Sequence, residues 1–351
     1  MKAAIAIAAL GFASGAFAGQ NAMLGLPPAP TPPAPAAVVA LGEKLFSDRR
    51  LSFNGTMSCA MCHVATQGLT SNEVATSVGM EGKSLRRNAP TLWNVAYEKT
   101  LFRDGRETTL ETQVWSPILS PDEMAAPSVG WTLARIASLP EYPALFARAF
   151  AGQGVSMNSV GAAIAAYERT LLKANSRFDR WKFGGQDTLS AQERAGYALF
   201  VGKGGCAQCH TIGETSALFS DGAFHDTGIG YRRAGGGPAE IEIRLADGQA
   251  TRRTRAQLQS ITGAPANDLG RFEVTQNPAD RWAYKTPSLR NVALTAPYMH
   301  DGSLGALEQV VDYYDAGGFE SPNKSPFIRP LGLTAAQKAA LVAFLKTLTG
   351  E

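Results

Sequence analysis

Cys59-Ala60-Met61-Cys62-His63 and Cys206-Ala207-Gln208-Cys209-His210 decide how this chain is read. Cys-x-x-Cys-His is the attachment motif of a covalent c-type haem. Two thiols add to the haem vinyl groups, and the adjacent His coordinates the iron. The two copies use every cysteine in the chain. A zinc site or a redox dithiol would not need a His after the second Cys in both copies. The sequence therefore predicts two covalent c-type haems, attached at Cys59, Cys62, Cys206 and Cys209, with His63 and His210 as iron ligands.

The chain repeats itself around these motifs. Gly42…Leu45-Phe46 precedes the first motif and Gly196…Leu199-Phe200 the second. Each is followed by Pro-[Thr/Ser]-Leu-x-Asn-Val-Ala (90–96 and 287–293), then by Asp-Gly at 104 and 301, then by Leu110 or Leu307 opening a helical stretch. AAIAAYERTL (162–171) aligns without gaps on AALVAFLKTL (339–348), with apolar residues at helical spacing. The fold predicted is mainly α: two cytochrome c-like helical domains, 38–185 and 186–351, each around one haem. Gly184-Gly185 ends a helix at the joint, and Ser190 with Glu193 forms a capping box that starts the next. The second unit carries about fifty extra residues, an insert at 211–284 rich in Gly and Arg, including Arg232, Arg233, Arg252, Arg253 and Arg255. It reads as a solvated long loop or as a lid or docking surface.

Residues 1–18 read as a secretory signal cut after Ala18. Residues 19–37 form a Pro-rich extended leader, with folding expected to begin near Val38 and export to a bacterial periplasm. A net charge of +3 gives no reason to expect a nucleic-acid partner. No later apolar run is long enough to span a bilayer.

A haem with two strong protein ligands moves electrons, whereas one with an open face can bind peroxide. The repeat lets the halves be compared: Tyr314 lies thirteen residues after Asp301, and Pro117 thirteen after Asp104. A phenol at one place faces a proline at the other. One six-coordinate haem (His210, Tyr314) and one open haem (His63) are expected. A proton shuttle would serve the open face, and the first-domain carboxylates near Pro117 are Glu107, Glu111, Asp122 and Glu123.

The haem motifs, RNAPTLWN, DGRETTLETQ, SPDEM, KTPSLRNVALTAPYMHDG and AFLKTLTG together resemble the bacterial dihaem cytochrome c peroxidase and MauG superfamily. The resemblance covers nearly the whole mature chain. It implies a tyrosine ligand from the helix after HDG, as in the MauG-like branch, here Tyr314, with adjacent Tyr313 leaving the register open. In SVGMEGK, Met80 stands where classical peroxidases place a distal His, either as a mobile loop residue or as a ligand. By the same resemblance Glu123 is the acid–base group, Gln113 its polar partner and Pro117 the residue facing the open haem. The family's bridging Trp is replaced by Arg103, which can bind a haem propionate, leaving Trp93 or Trp115 as the relay. A calcium ion between the domains is also implied, held by the Asn88 side chain and the Thr295 and Pro297 carbonyls. His225 is expected to be a satisfied core or propionate-contacting residue. The activity implied is a periplasmic enzyme that uses hydrogen peroxide to generate high-valent haem iron and oxidise a partner protein. MbnH-like members of that branch work beside a copper-handling protein. The alternatives are a peroxidase fed by a small cytochrome or cupredoxin, and a non-catalytic dihaem electron carrier.

Overall fold

The computed structural model describes residues 23–236, 240–246, 249–254 and 268–351. The expected signal and its cleavage site, and Arg255, lie outside the described residues. Among those described, no helix is long and apolar enough to cross a membrane.

Helices dominate: α1 (Ala36–Ser47), α2 (Val129–Ser138), α3 (Tyr142–Ala149), α4 (Met157–Glu168), α5 (Ala191–Val201), α6 (Leu307–Asp315) and α7 (Ala335–Lys346). Their starts follow local chemistry. Ser156, Ser190 and Thr334 each accept from the backbone three residues on, closing capping boxes.

The repeat seen in the sequence is a repeat in space. α1 crosses α4, and α5 crosses α7. At the first crossing a side chain on Gly42 would meet the Ala163 carbonyl oxygen at 1.9 Å; at the second, one on Gly196 would meet that of Ala340 at 2.0 Å. Both glycines let the helix backbones touch, and any larger residue would push them apart. The two Asn of the repeated strings, Asn94 and Asn291, adopt the left-handed conformation. Their amides bind Leu171 O at 2.8 Å and Leu348 O at 3.0 Å. Each ties its loop to the end of the closing helix.

Two hydrophobic cores result. The first gathers Leu41, Leu45, Phe46, Trp115, Ile136, Phe146 and Ile164. The second is more aromatic, with Phe178 packed edge-on against Phe219 and Phe344. Each such fully buried side chain stabilises the fold by roughly 1.5–3 kcal/mol. Phe178 lies ahead of the boundary expected after residue 185, so the short helix Arg177–Lys182 packs with the second half.

Two expectations about irregular segments need correcting. The leader is not free up to Val38. Leu24 exchanges hydrogen bonds with Asn175, and the Gly25 carbonyl accepts from Ala217 N and from Arg290. Arg290 is itself buried against Asp179, at 2.9 and 3.0 Å. The insert is not simply a solvated loop either. Its ends pair as strands β1 (Phe224–Asp226) and β4 (Ala283–Lys285), and between them β2 (Glu240–Ala246) and β3 (Gln249–Thr254) pair antiparallel. Asp268 and Arg271 then clasp the first half. Arg87 binds Asp268 through two nitrogens, at 2.6 and 2.7 Å, and Asp104 at 2.6 Å. Arg271 donates to Asp104 O and Gly105 O at 2.7 and 2.9 Å.

Where the halves meet, the contact is reciprocal. Asn88 N donates to His300 O at 2.7 Å, and Lys285 N donates to Arg103 O at 2.8 Å. Asn88 and Lys285 hold equivalent places before their prolines, and Arg103 and His300 equivalent places before their Asp-Gly pairs.

Candidate haem sites

Cys59 and Cys62 bound one helical turn, and His63 N closes it on Cys59 O at 3.0 Å; His210 N closes on Cys206 O at 2.9 Å. All four cysteines are free thiols. Burial pushes Cys206 and Cys209 up to about 11, Cys59 higher still, and Cys62 in the same direction, which favours the neutral thiol.

Both histidines are fixed in the same way. His63 Nδ1 lies 3.0 Å from Leu69 O, and His210 Nδ1 lies 2.8 Å from Phe219 O. A carbonyl only accepts, so Nδ1 carries the proton and Nε2 keeps its lone pair. Burial lowers both imidazoles, which keeps them neutral. The accepting loops are pinned in turn, by Thr91 Oγ1 to Gly68 O (2.6 Å) and Ser288 Oγ to Leu218 O (2.7 Å). Neutral thiols beside an imidazole with a free, oriented Nε2 fit a thioether-bound haem in each half. In the first half the buried indole nitrogens of Trp93 and Trp115 face no acceptor, a deficit that a large polar-edged group would relieve.

Tyr313 and Tyr314 have different surroundings. The Tyr313 hydroxyl donates to Thr227 O and accepts from Phe319 N. The Tyr314 hydroxyl has no hydrogen-bond partner among the described residues. Burial raises its pKa, and the nearby thiols Cys206 and Cys209 raise it further.

In the first half, Pro117 lies within the short helix Trp115–Leu119 rather than in a loop. The turn after it brings Glu123 N to Ser120 O at 3.1 Å. The Glu123 carboxyl is half-buried, and burial raises its pKa. Its charge is felt by both Cys59 and Cys62. Gln113 ends the helix Leu110–Gln113, and no hydrogen bond joins it to Glu123. Glu111 is occupied elsewhere, by Arg169 at 2.7 Å. Met80 is 4% exposed and part of the first core, not a mobile loop residue. Its amide binds Asp122 O at 3.0 Å, so its loop rests on the Glu123 turn.

His225 is satisfied: its Nε2 lies 2.8 Å from Asp221 Oδ2. With Cys209 this pair makes a cluster whose ligand atoms lie within 4.8 Å of one another, but one of the three is a haem thiol. Sequence reasoning missed the Asp221 partner, four residues before His225. It also missed Tyr284, stacked on His300 with ring centres 3.6 Å apart, and Glu168, a buried acid whose Oε2 has no partner. The repeat held a signal for Glu168, which aligns with Leu345.

The calcium expectation fits less well. Asn88 Oδ1 accepts from Arg103 Nη2 at 3.0 Å, which puts a buried guanidinium at the expected ligand. The Thr295 and Pro297 carbonyls remain without donors among the described residues.

Two helical units with one thiol pair and one oriented imidazole each define a dihaem c-type protein. The family described as di-haem cytochrome c peroxidase matches residues 36–188. The chain is 37% identical to the methylamine utilization protein MauG of Methylorubrum extorquens, over 89% of this chain and 78% of the relative. It is 38% identical to the cytochrome-c peroxidase IdrP1 of Denitromonas iodatirespirans, over 99% and 93%. A crystal structure of a MauG-like protein associated with microbial copper homeostasis superposes with a TM-score of 0.76 at 32% identity, over 93% of this chain and 94% of that one. The chain belongs to the dihaem cytochrome c peroxidase and MauG family. It is an oxidoreductase of the haem-peroxidase type that carries two haems, acts on hydrogen peroxide and works with a protein partner.

Proposed function

We propose that this enzyme is MauG-like: exported to the periplasm, it uses peroxide to oxidise a partner protein rather than only to dispose of peroxide. The observation that carries the reading is Tyr314, whose hydroxyl has no hydrogen-bond partner among the described residues while that of Tyr313 is engaged. Tyr314 and His210 would together hold the iron of the second haem. An anionic oxygen ligand lowers the iron potential, and that favours storage of oxidising equivalents, whereas Met raises it.

When bound, the haem irons supply the two-electron chemistry with peroxide. This chain's residues do the rest. His63 and His210 each present Nε2, held in place by the Leu69 and Phe219 carbonyls. Pro117, at the place equivalent to Tyr314, would offer the first haem no side-chain ligand. The Glu123 carboxylate takes a proton from the bound peroxide and returns it to the leaving oxygen, and its raised pKa keeps it a competent acid for the second half of that exchange. Gln113 serves as its polar neighbour. By analogy with the relative tied to copper homeostasis, the partner protein is copper-handling.

The test is to co-express the chain with the protein encoded beside it, add peroxide and weigh the partner. A peroxide-dependent mass change is expected. Peroxide turnover with reduced cytochrome as donor, and no change in any partner, would favour the peroxidase alternative. Export predicts a mature amino terminus at Gly19 in periplasmic extracts.

A further inference from the structure

We propose that the Arg103 guanidinium takes the place of a calcium ion between the two haem domains, so that the loaded protein holds its junction together without calcium. Arg103 sits at the centre of the reciprocal contact, its carbonyl bound by Lys285 N at 2.8 Å and its side chain buried. Its Nη2 donates to Asn88 Oδ1 at 3.0 Å, while its Nε is buried without a partner. Asn88 is fixed on both other sides, by its amide to His300 O at 2.7 Å and by Nδ2 to Ala75 O at 3.1 Å. Its one acceptor oxygen therefore faces the guanidinium.

A divalent cation there would need oxygen donors and compensating negative charge. The carboxylates that act on Arg103 through space are Glu98 and Asp301. Both are already paired, Glu98 with Lys285 and Asp301 with Arg233 at 3.1 Å. Among the described residues neither carboxylate is left uncommitted for the ion, and a second cation at Asn88 would be repelled by the first at close range. A guanidinium supplies the same sign of charge at the same oxygen, and it arrives covalently tethered. The inference concerns how the junction is held, and it stands or falls apart from the reaction proposed above.

The experiment uses the two-haem protein. It is equilibrated with calcium, passed into metal-free buffer and analysed for calcium by atomic emission, before and after treatment with a chelator. The wild type should retain well under one calcium per chain, and its low-spin EPR signal should not move on chelation. Arg103→Met removes the charge at similar length and should gain a retained calcium whose removal changes that signal. Arg103→Lys, which keeps the cation, should stay calcium-free. One retained calcium in the wild type overturns the proposal whatever the variants do. A calcium-free Arg103→Met protein that still carries both haems overturns it too, because the place would then not be a cation site. If Arg103→Met does not fold, the wild-type and Arg103→Lys measurements decide.

Discussion

The two halves of this molecule share a scaffold to the level of single hydrogen bonds, yet differ at three equivalent places. Gly42 and Gly196 seat the same helix crossing, and Asn94 and Asn291 bind the same turn of the closing helix. Against that constant background Pro117 faces Tyr314, Glu168 faces Leu345 and Arg103 faces His300. The scaffold attaches and orients haem in both halves, and the differences divide the labour. The first half has a proline with the Glu123 carboxyl in the turn after it, the second a phenol beside the thiols, and on these the proposed division rests.

The largest effect that tests this division falls on Glu123. Acid–base catalysis contributes typically 10²–10⁴-fold, so Glu123→Gln should slow the stopped-flow reaction with peroxide by about that much. Glu111→Gln should leave the rate nearly unchanged, because Arg169 already holds that carboxylate. Because burial raises the Glu123 pKa, the base form is lost as pH falls through that raised value. The wild-type rate should decline there, and the Glu123→Gln rate should not. Equal losses in the two variants would show that the halves differ in some other way.

Next in size is the clasp between the halves. Arg87 has a side chain 13% exposed and bonds to Asp104 and Asp268. Removing one partner of a buried pair costs about 3–5 kcal/mol, so Arg87→Ala should lower the unfolding midpoint in denaturant accordingly. Arg87 holds both carboxylates below their ordinary values. Their stabilisation is therefore complete above the usual carboxylate range and is lost as pH falls through it into strong acid. The variant should lose this acid limb of the stability profile.

Glu168 should act in the opposite direction. Burial raises it to about 8 in the folded protein. A folded-state pKa above the unfolded one means that the contribution of Glu168 to stability is greatest below about pH 4 and declines as pH rises toward 8. Glu168→Leu, which copies the second half, should stabilise the protein at pH 7 by roughly 2–3 kcal/mol and flatten that decline. An unchanged or lower midpoint would mean that the bound haem gives Glu168 a partner.

Much of this was legible in the sequence because it is carried by local patterns. The two attachment motifs, the glycines of the helix crossings and the Ser190 capping box each depend on a few neighbouring residues and a spacing. The junction was not legible. Arg87 meets Asp268, and Asn88 meets His300, across long sequence separations through an insert with no counterpart in the first half. Residues 24 and 25 were read as part of an extended leader because their partners, Asn175, Ala217 and Arg290, are set by tertiary contact alone. Met80 was misplaced for a related reason: a glycine-flanked loop reads as mobile until Asp122 pins it. Adjacent tyrosines could not be told apart, since helix periodicity gives the face of a residue only to within one position.

That last ambiguity yields the smallest and most discriminating effect. Tyr313 and Tyr314 are neighbours with edge-to-face rings, 5.2 Å between centres. The Tyr313 hydroxyl is spent on Thr227 O and Phe319 N, bonds that tie α6 to the start of the insert and to the chain just beyond the helix. Tyr313→Phe removes that hydroxyl and should cost about 1 kcal/mol in unfolding free energy. The EPR spectrum should still show one high-spin and one low-spin haem, because the substitution leaves Tyr314 untouched. Tyr314→Phe should do the reverse. Its hydroxyl has no partner to lose among the described residues, so stability of the polypeptide should barely change, while the low-spin signal should be lost. Tyr314→Met should keep a low-spin centre and raise its potential. If instead Tyr313→Phe abolishes the low-spin signal, the ligand lies one residue earlier in α6, and the contrast drawn between Pro117 and Tyr314 must be redrawn in that register.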